Sequence, residues 1–214
     1  MCIRDRLTTQ QPLREKAALF WHGHFATNED KVRDYRKMAL QVETLQRLGL
    51  ANFRDLLIAL AQDPAMLVFL DAAVNTKDAP NENFAREIME LFTMGVGEYG
   101  EEDVREAARA FTGWSVRGLE FYVDSDAHDA GEKYFLGERG DFDGIEIIDR
   151  ILARPQTSRF IATKLYRYFV RDDVLLPAEV QLGERLRAHN YDIGAYLQEL
   201  FVSHDFYALS LIHI

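Results

Sequence analysis

The sequence is nearly free of cysteine and has no long apolar run. Cys2 is the only cysteine among 214 residues, so a small fold held together by internal disulfides is excluded. No stretch of 18 consecutive apolar residues occurs, and we therefore expect no transmembrane helix. Positive charge is also scarce, since 25 Lys and Arg residues face 35 Asp and Glu residues, for a formal net charge of −10. A surface this acidic repels phosphate backbones, so we expect no nucleic-acid partner.

Internal repeats, low-complexity tracts and linkers are absent as well. Hydrophobic residues make up 48% and charged residues 28% of the chain, which is the balance of a globular protein that buries a core. Because no linker marks a boundary, residues 7–208 are predicted to form a single α-rich domain.

The two ends differ in character from the rest of the chain. Residues 1–6 read MCIRDR and residues 209–214 read LSLIHI, and both resemble translated adapter sequence found at the edges of metagenomic assemblies. We therefore expect both segments to be non-native tails. In that case Cys2 carries no thiol chemistry, and the lack of a signal peptide gives no information about the compartment.

Apolar residues recur at intervals of three and four over most of the chain, which predicts helices. Leu13 and Ala17 begin the first of these stripes. The predicted helices cover residues 12–25, 28–48, 53–62, 63–70, 82–94, 101–111, 144–152, 155–171, 177–189 and 193–202. Asn52, and Asp63 followed by Pro64, are expected to begin two of them, because a short polar side chain caps a helix and proline fits its first turn.

The pattern changes between residues 114 and 137. The β-prone runs 119–123 and 133–136 bracket an acidic loop, which predicts a small hairpin or two short edge strands. The predicted fold class is therefore mainly α, a multi-helix orthogonal bundle with a small β-hairpin insert near residues 115–137.

A helix predicted in the middle of the chain carries the first candidate for a functional residue. Glu87 falls three residues after Phe84 and four before Leu91, within the apolar stripe. A carboxylate on an apolar face must be paired, hydrogen-bonded or metal-bound, because burying it alone is costly. Arg109 or Arg105 on the next helix is the expected partner. The pair is either an internal ion pair that fixes the register of the two helices, or part of a cleft in which the carboxylate is a base or ligand.

His22 and His24 form an H-x-H pair in the first predicted helix. Residues two apart on a helix point about 200° apart, so both cannot bind one metal ion unless the helix ends between them. His24 continues the apolar stripe and His22 does not. We therefore expect His24 to be a core or capping residue, and a single ligand or a catalytic partner of Glu87 or Glu90 is the alternative.

The acidic loop 124–132 begins with D-x-D, as calcium loops do. The EF-hand pattern then fails, because its sixth position is Asp129 instead of glycine and its twelfth is Phe135 instead of glutamate. His128 beside Asp129, between two short strands, is a better candidate for a catalytic or ligand histidine, and a hydrated turn with an anchored histidine is the alternative. The metal-ligand candidates are thus His24, His128 and Asp129, for a divalent ion.

Basic and aromatic residues interleave in the helix predicted over residues 155–171, as in a nucleic-acid strip. An apolar set nevertheless follows helical spacing, namely Ile161, Leu165, Tyr168 and Phe169, so a core helix with a solvated basic face is favoured. No G-x-S-x-G, H-E-x-x-H, Walker A or G-x-G-x-x-G motif occurs, so no reaction is assigned by motif.

Several segments, in order and at family-like distances, resemble one bacterial family. They are FWHGHFAT at 20–27, DPAML at 63–67, PNENFARE at 80–87, MELFT at 89–93, DVREAAR at 103–109, TGW at 112–114 and HD at 128–129. On these motifs the chain resembles the domain-of-unknown-function 1800 family over most of residues 13–206. The resemblance implies a protein of about twice this length, of which this chain is a central fragment. It also implies a periplasmic or secreted location, since many members carry export signals, but no activity. One departure is Gly100, where the family usually has a threonine that would cap the next helix.

Two functions remain open at this stage. The first is an exported hydrolase-like enzyme, with a carboxylate and a histidine as acid and base and an arginine to hold an anion. The candidate catalytic residues are Glu87, Arg109, His128 and Asp129. The alternative is a non-catalytic envelope or partner-binding module, whose polar cluster is structural and whose partner is a protein of the cell envelope.

Overall fold

The computed structural model describes residues 9–174 and 176–210, with the side chains of residues 208–210 excepted. This part of the chain contains twelve α-helices and two small antiparallel hairpins, so the predicted mainly α fold class with a small β insert is confirmed. The tail predicted at residues 1–6 and most of that at 209–214 lie outside the described residues. The single domain over residues 7–208 stays a prediction.

The helices and strands are numbered in chain order. The helices are α1 (Pro12–His24), α2 (Glu29–Val32), α3 (Tyr35–Leu48), α4 (Phe53–Ala61), α5 (Pro64–Phe69), α6 (Asn83–Met89), α7 (Glu101–Ala110), α8 (Gly144–Ala153), α9 (Pro155–Phe169), α10 (Leu176–Ala188), α11 (Ile193–Phe201) and α12 (His204–Ser210). A 3-10 turn (Ala72–Val74) follows α5, and a π-helical turn (Glu90–Met94) continues α6. The strands are β1 (Trp114–Arg117), β2 (Glu120–Val123), β3 (Lys133–Phe135) and β4 (Glu138–Gly140).

Short polar side chains begin several helices, as the sequence predicts. Asn52 caps α4 and Asp63 caps α5, each by accepting hydrogen bonds from backbone N–H groups of the first turn. The single helix predicted over residues 28–48 is divided into α2 and α3. Arg33 adopts the left-handed conformation, with φ of 53°, and Asp34 then caps α3.

The core is one contiguous apolar cluster that extends from Ala17 in α1 to Leu200 in α11. Trp21 is its largest fully buried side chain. The indole Nε1 of Trp21 donates a hydrogen bond to the carbonyl oxygen of Gly49 at 2.7 Å, and the ring stacks on Phe53 at 5.4 Å. Because the one polar atom of the indole is paired, the ring is buried without penalty, and it ties α1 to the connection between α3 and α4.

The end of α6 departs from α-helical geometry. Residues Glu90–Met94 form a π-helical turn, in which the N–H group of Gly95 donates to the carbonyl oxygen of Glu90 at 3.1 Å. The last carbonyl groups of a helix have no partner within it. Those of Leu91 and Phe92 accept hydrogen bonds from side chains of α9 and α1 instead, which places this turn beside both helices.

The β insert consists of two hairpins instead of one. β1 pairs with β2 and β3 pairs with β4, each antiparallel and across a short turn. The two β-prone runs of the sequence are therefore strands, but each pairs with a neighbour close in sequence. The acidic loop 124–132 connects the two hairpins, and its conformation is fixed by contacts with α7.

Candidate functional site

One side of α7 holds the segment that leads into β3 and β4. Four polar side chains, spaced three residues apart, form a cluster that we call the α7 clamp: Asp103, Glu106, Arg109 and Thr112. The backbone N–H of Leu136 donates to a carboxylate oxygen of Asp103 at 2.7 Å. The N–H of Tyr134 donates to Glu106 at 2.8 Å. Residues three apart lie on one face of a helix, so the spacing itself creates a row of partners for an extended segment.

Arg109 is the centre of the α7 clamp. Its Nε lies 2.7 Å from Oδ2 of Asp129, and its Nη1 lies 3.0 Å from the Glu106 carboxylate. Nη1 also donates to the backbone carbonyl oxygen of Glu132 at 3.2 Å. The guanidinium group beside Asp129 lowers the pKa of that carboxyl. Arg109 and Asp129 are thus brought together as an ion pair that already satisfies both groups.

The predicted ion pair between Glu87 and Arg109 or Arg105 is wrong. Arg109 is engaged by the α7 clamp, and Arg105 pairs with Glu102 at 3.5 Å. The apolar stripe of α6 continues from Ile88 through Phe92, which is buried, and not through Leu91, which is 48% exposed. Because Phe92 and not Leu91 faces the core, the buried face of α6 is turned away from Glu87. The Glu87 side chain is therefore half-buried at the edge of that face.

Glu87 lies next to another carboxylate. Partial burial and the charge of Glu90 raise the pKa of Glu87, and Arg86 opposes this shift. Arg86 itself bonds to Glu82 and Glu101. Among the described residues, none forms a hydrogen bond or an ion pair with the Glu87 carboxylate, so Glu87 joins neither the α7 clamp nor His128.

We expect Glu87→Ala to change the free energy of unfolding by less than about 0.5 kcal/mol, as for a surface substitution. The side chain has no ionic partner to leave behind, and its removal relieves repulsion with Glu90. Urea denaturation of the variant measures this change. A loss above about 2 kcal/mol would show that the carboxylate is paired and buried.

Lys133 occupies the inside of the acidic loop. Its side chain is fully buried, and burial lowers its pKa. The ammonium group donates to the carbonyl oxygens of Asp129 and Gly131 at 2.7 and 2.9 Å, and Asp141 lies 3.7 Å away. The backbone carbonyl oxygens inside this loop therefore bind the ammonium group of Lys133.

His128 is anchored beside the clamp by its Nδ1 atom. Nδ1 lies 2.8 Å from the carbonyl oxygen of Thr112, and since a carbonyl only accepts, Nδ1 carries the hydrogen. Gly113 permits this approach, because a Cβ there would lie 2.4 Å from the carbonyl oxygen of Asp124 and 3.2 Å from His128. Asp129 thus pairs with Arg109, and His128 bonds to Thr112 at the same end of α7, without Glu87, the fourth residue of the predicted group. Nε2 of His128 has no hydrogen-bond partner among the described residues.

His24 lies in a separate network between α1, α9 and the π-helical turn. Its Nε2 lies 3.0 Å from the carbonyl oxygen of Phe92, and Nζ of Lys164 lies 3.2 Å from Nδ1. Nε2 therefore donates and Nδ1 accepts, which requires a neutral ring. Burial, and then the charge of Lys164, lower the pKa of His24 to about 3. His22 is exposed, so the two histidines lie on different sides of α1, as their spacing predicts.

The three metal-ligand candidates do not form one group. His24 bonds to Phe92 and Lys164, whereas His128 and Asp129 belong to the end of α7. Within residues 9–174 and 176–210, no cluster of three or more His, Cys, Asp or Glu side chains could hold a metal ion.

A pocket opens where α9 faces the π-helical turn and the start of α10. Its volume is about 370 Å³. The polar residues that line it are Glu98, Gln156, Arg159, Thr163, Lys164, Arg167 and Glu179, and the apolar ones are Met94, Val96, Phe160 and Leu176. We call it the α9 pocket. Arg167 pairs with Glu179 at 3.1 Å, so Arg159, Lys164 and Glu98 leave a formal charge of +1.

Two polar atoms of the α9 pocket are buried without a partner. They are Oγ1 of Thr163 and Oε1 of Gln156, and the Thr163 side chain is only 5% exposed. The guanidinium group of Arg159 also forms no hydrogen bond or ion pair with any described residue. Buried polar groups are normally paired, so the two oxygens are exceptions within the protein interior. The Arg159 side chain is only half-buried, so its guanidinium group is the one of these that a ligand can reach.

The sequence reasoning missed this pocket. It correctly assigns Ile161, Leu165 and Phe169 to the core, but Tyr168, predicted with them, is 39% exposed. It also treats the basic face of α9 as solvated. Lys164 is instead half-buried, with Nζ 4.4 Å from the centroid of the Phe160 ring. Nothing in the sequence distinguishes Arg159 and Lys164 from the other Lys and Arg residues of the chain.

Comparisons with known proteins give a family and no activity. Searches of curated proteins and of solved structures find no match. No helix in the described part of the chain is both long and apolar enough to cross a membrane. A family model described as "Protein of unknown function (DUF1800)" matches residues 1–213. The chain therefore belongs to the DUF1800 family.

Proposed function

We propose that this protein is a non-catalytic binding module that takes a small anion in the α9 pocket. The observation that carries this proposal is a contrast between two polar regions. The α7 clamp is closed by its own ion pairs, whereas the α9 pocket is lined by Arg159, whose guanidinium group has no partner among the described residues. A cluster whose polar groups are all hydrogen-bonded or ion-paired stabilises the fold. Polar groups without partners that line a concave surface are available to bind a ligand.

The charge of the protein limits the size of the anion. The chain has a net charge of −10, which disfavours polyanions, because each further negative charge meets an acidic surface. The α9 pocket has a formal charge of +1, so one monovalent anion balances it. A carboxylate fits best, since arginine binds its two oxygens in parallel.

Acetate is expected to bind in the α9 pocket in a saturable way. In a ¹H–¹⁵N NMR titration, the amide signals of Gly95 and Thr163 should shift together and reach a plateau. Arg159→Gln removes a charge-assisted pair and should weaken binding about tenfold or more. Arg105→Gln, a change of the same type on the exposed face of α7, should bind acetate like the wild type. Shifts that never saturate, or an Arg159→Gln variant with unchanged affinity, would overturn the proposal.

An exported hydrolase-like enzyme is the second candidate, and one contact favours it. Thr112 holds Nδ1–H of His128 at 2.8 Å, which leaves Nε2 as the basic nitrogen, as in an oriented general base. In a screen of ester, peptide and phosphoester substrates, His128→Gln would then abolish the turnover shown by the wild type. Equal rates in both proteins, or none in either, would exclude this candidate.

The cellular setting is part of the proposal. The family resemblance implies a periplasmic or secreted location, and a protein partner in the cell envelope is the corresponding source of a ligand. Fractionation of cells that produce a family member of full length, followed by immunoblotting, tests this location.

A further inference from the structure

We infer that the amine of Lys164 is a covalent binding site for small aldehydes, which it holds as an imine at the α9 pocket. This inference goes beyond the proposed function, because it concerns a nucleophile and not the binding of an anion. It is drawn from the surroundings of one nitrogen atom. Nζ of Lys164 is oriented by two neutral acceptors, belongs to a residue that lines a pocket, and has no carboxylate beside it among the described residues.

The π-helical turn sets the orientation of this amine. Nζ of Lys164 lies 3.2 Å from Nδ1 of His24 and 3.4 Å from the carbonyl oxygen of Leu91. Phe92 determines the first contact, because its carbonyl oxygen accepts from Nε2 of His24 and so leaves Nδ1 as the acceptor. Both carbonyl groups belong to the π-helical turn, where the regular pairing of an α-helix is interrupted. The amine is therefore fixed by groups of α1 and of this turn.

The Lys164 amine has no counter-ion nearby. No carboxylate of the described residues lies within ion-pair distance of Nζ. Burial lowers the pKa of the amine, so a larger share of it is unprotonated near neutral pH than for a solvated lysine. The Phe160 ring, whose centroid lies 4.4 Å from Nζ, favours the ammonium form and opposes this shift.

The other charged side chains around Lys164 balance one another. Those that line the α9 pocket with it are Glu98, Arg159, Arg167 and Glu179. Arg167 and Glu179 form an ion pair at 3.1 Å, and the formal charges of Arg159 and Glu98 are opposite. From α1, His24 faces the amine as a neutral ring. These groups together add no net formal charge to hold Lys164 as an ammonium ion.

The amine can also be reached from solvent. Lys164 is half-buried and lines the α9 pocket, and its hydrogen bond to the carbonyl oxygen of Leu91 is exposed. Lys133 provides the contrast within the chain, since burial lowers its pKa as well but its side chain has no exposed surface. A nucleophilic lysine needs an unprotonated amine and access to it, and Lys164 combines the two.

Imine formation with an aldehyde balances without an oxidant or a reductant. The lone pair of Nζ attacks the carbonyl carbon, and the π electrons of the carbonyl group pass to its oxygen, which takes up a proton while nitrogen releases one. The hydroxyl group of this carbinolamine is then protonated and leaves as water, and nitrogen loses its second hydrogen as the C=N bond forms. Both N–H groups of the neutral amine face acceptors, His24 and Leu91, so its lone pair is directed away from them. A short aldehyde is expected, because a volume of about 370 Å³ is near the lower end of small-molecule pockets.

Reductive alkylation of the intact chain with propanal tests the inference. Sodium cyanoborohydride delivers hydride to the carbon of the C=N bond and converts the imine into a stable secondary amine. Peptide mapping by mass spectrometry then gives the rate at each lysine, and N-acetyl-lysine in the same solution is the reference for an ordinary amine with a pKa of about 10.4. Near neutral pH we expect Lys164 to react at least fivefold faster than this reference, and Lys133 at least fivefold more slowly. Reaction of Lys164 at the rate of the reference or below would overturn the inference.

The pH dependence separates nucleophilicity from simple exposure. The rate at Lys164 relative to N-acetyl-lysine should be highest near neutral pH and should decrease towards a pH of about 10, where the reference amine is also largely unprotonated. A ratio that does not change with pH would show that access alone makes Lys164 react quickly, and it would contradict the inference.

Lys164→Arg locates the reacting group. Arginine keeps the positive charge and the N–H donors but has no amine to form the imine, so the fast adduct should disappear. Lys77→Arg, the same change at an exposed position, should leave the fast adduct intact. A fast adduct that persists in Lys164→Arg would assign the reaction to another group. The acetate titration is independent of these rates: if acetate binds and Lys164 reacts like the reference, the proposed function stands and this inference fails. If Lys164 reacts quickly and acetate does not bind, the inference stands and the proposed function fails.

Discussion

Arg109→Ala is expected to lower the free energy of unfolding by about 3 kcal/mol. The change leaves the carboxylates of Asp129 and Glu106 without their counter-charge. These side chains are only 20% and 14% exposed, and removal of one partner from a mostly buried pair costs about 3–5 kcal/mol. Partial solvent access reduces this figure, and urea denaturation at pH 7 measures it. The loosened segment should be the one that carries Glu132, whose carbonyl oxygen also loses its donor.

Arg105→Ala is the matched control for this prediction. Arg105 lies on the same helix but has an exposed side chain and one ion pair of 3.5 Å with Glu102. Exposed pairs contribute about 0–1 kcal/mol, so this variant should unfold close to the wild type. If Arg109→Ala were as mild as Arg105→Ala, the α7 clamp would be a surface feature, and Arg109 would again be a candidate for binding or catalysis.

Stability is expected to fall with pH below about 6.5 because of His24. The pKa of His24 is about 3 in the folded protein, against 6.5 for a free histidine, so the unfolded chain binds more protons between these values. Stability therefore rises with pH across this window, is fully present above pH 6.5, and is lost as the pH falls towards 3. One proton contributes about 1.4 kcal/mol per pH unit, which amounts to about 2–3 kcal/mol between pH 6.5 and 4.

The contribution of His24 is isolated by a difference measurement. Asp63 acts in the opposite direction, because burial raises its pKa to about 6 and its folded form retains a proton that the unfolded chain releases. The quantity to compare is thus the unfolding free energy of the wild type minus that of His24→Gln, from pH 4 to 8. Below about pH 6.5 this difference should become smaller as the pH falls. A flat curve for His24→Gln would show that the ring is solvated and does not bond to Phe92 and Lys164 as described.

Local rules predicted those parts of the fold that depend on neighbours in sequence. Asn52 and Asp63 cap α4 and α5 because a short polar side chain reaches the first N–H groups wherever the rest of the chain lies. Apolar periodicity likewise placed the core faces of most helices. The predicted group of Glu87, Arg109, His128 and Asp129 is only partly assembled. Asp129 pairs with Arg109 and His128 bonds to nearby Thr112, whereas Glu87 contacts none of them.

Features that depend on contacts between residues far apart in sequence could not be predicted from these local patterns. The partner of Arg109 is Asp129, twenty residues later and across two strands, and no spacing on α6 or α7 indicates that the loop returns there. Glu87 was placed in the core because Leu91 and Phe92 fit the stripe about equally well. The π-helical turn decides in favour of Phe92, and a hydrogen bond from residue i to i−5 has no signature in a 3.6-residue period.

The α9 pocket shows a further limit. Thr163 and Gln156 look like ordinary helix residues in sequence, and only the packing of α9 against α10 and the π-helical turn reveals that two of their atoms are buried without partners. Periodicity separates inside from outside, but it does not identify a buried group that remains unsatisfied. Such groups are found only by examining the hydrogen bonds of each buried polar atom in the folded structure.

Lys133 supplies the acidic loop with a positive charge from the chain itself. A calcium loop gains its shape when a dissolved ion arrives, and a chelator removes that shape again. Here the positive charge is the ammonium group of Lys133, the first residue of β3, so it is covalently part of the chain. The surface that displays His128 is consequently expected to keep its form in calcium-rich and calcium-poor surroundings alike.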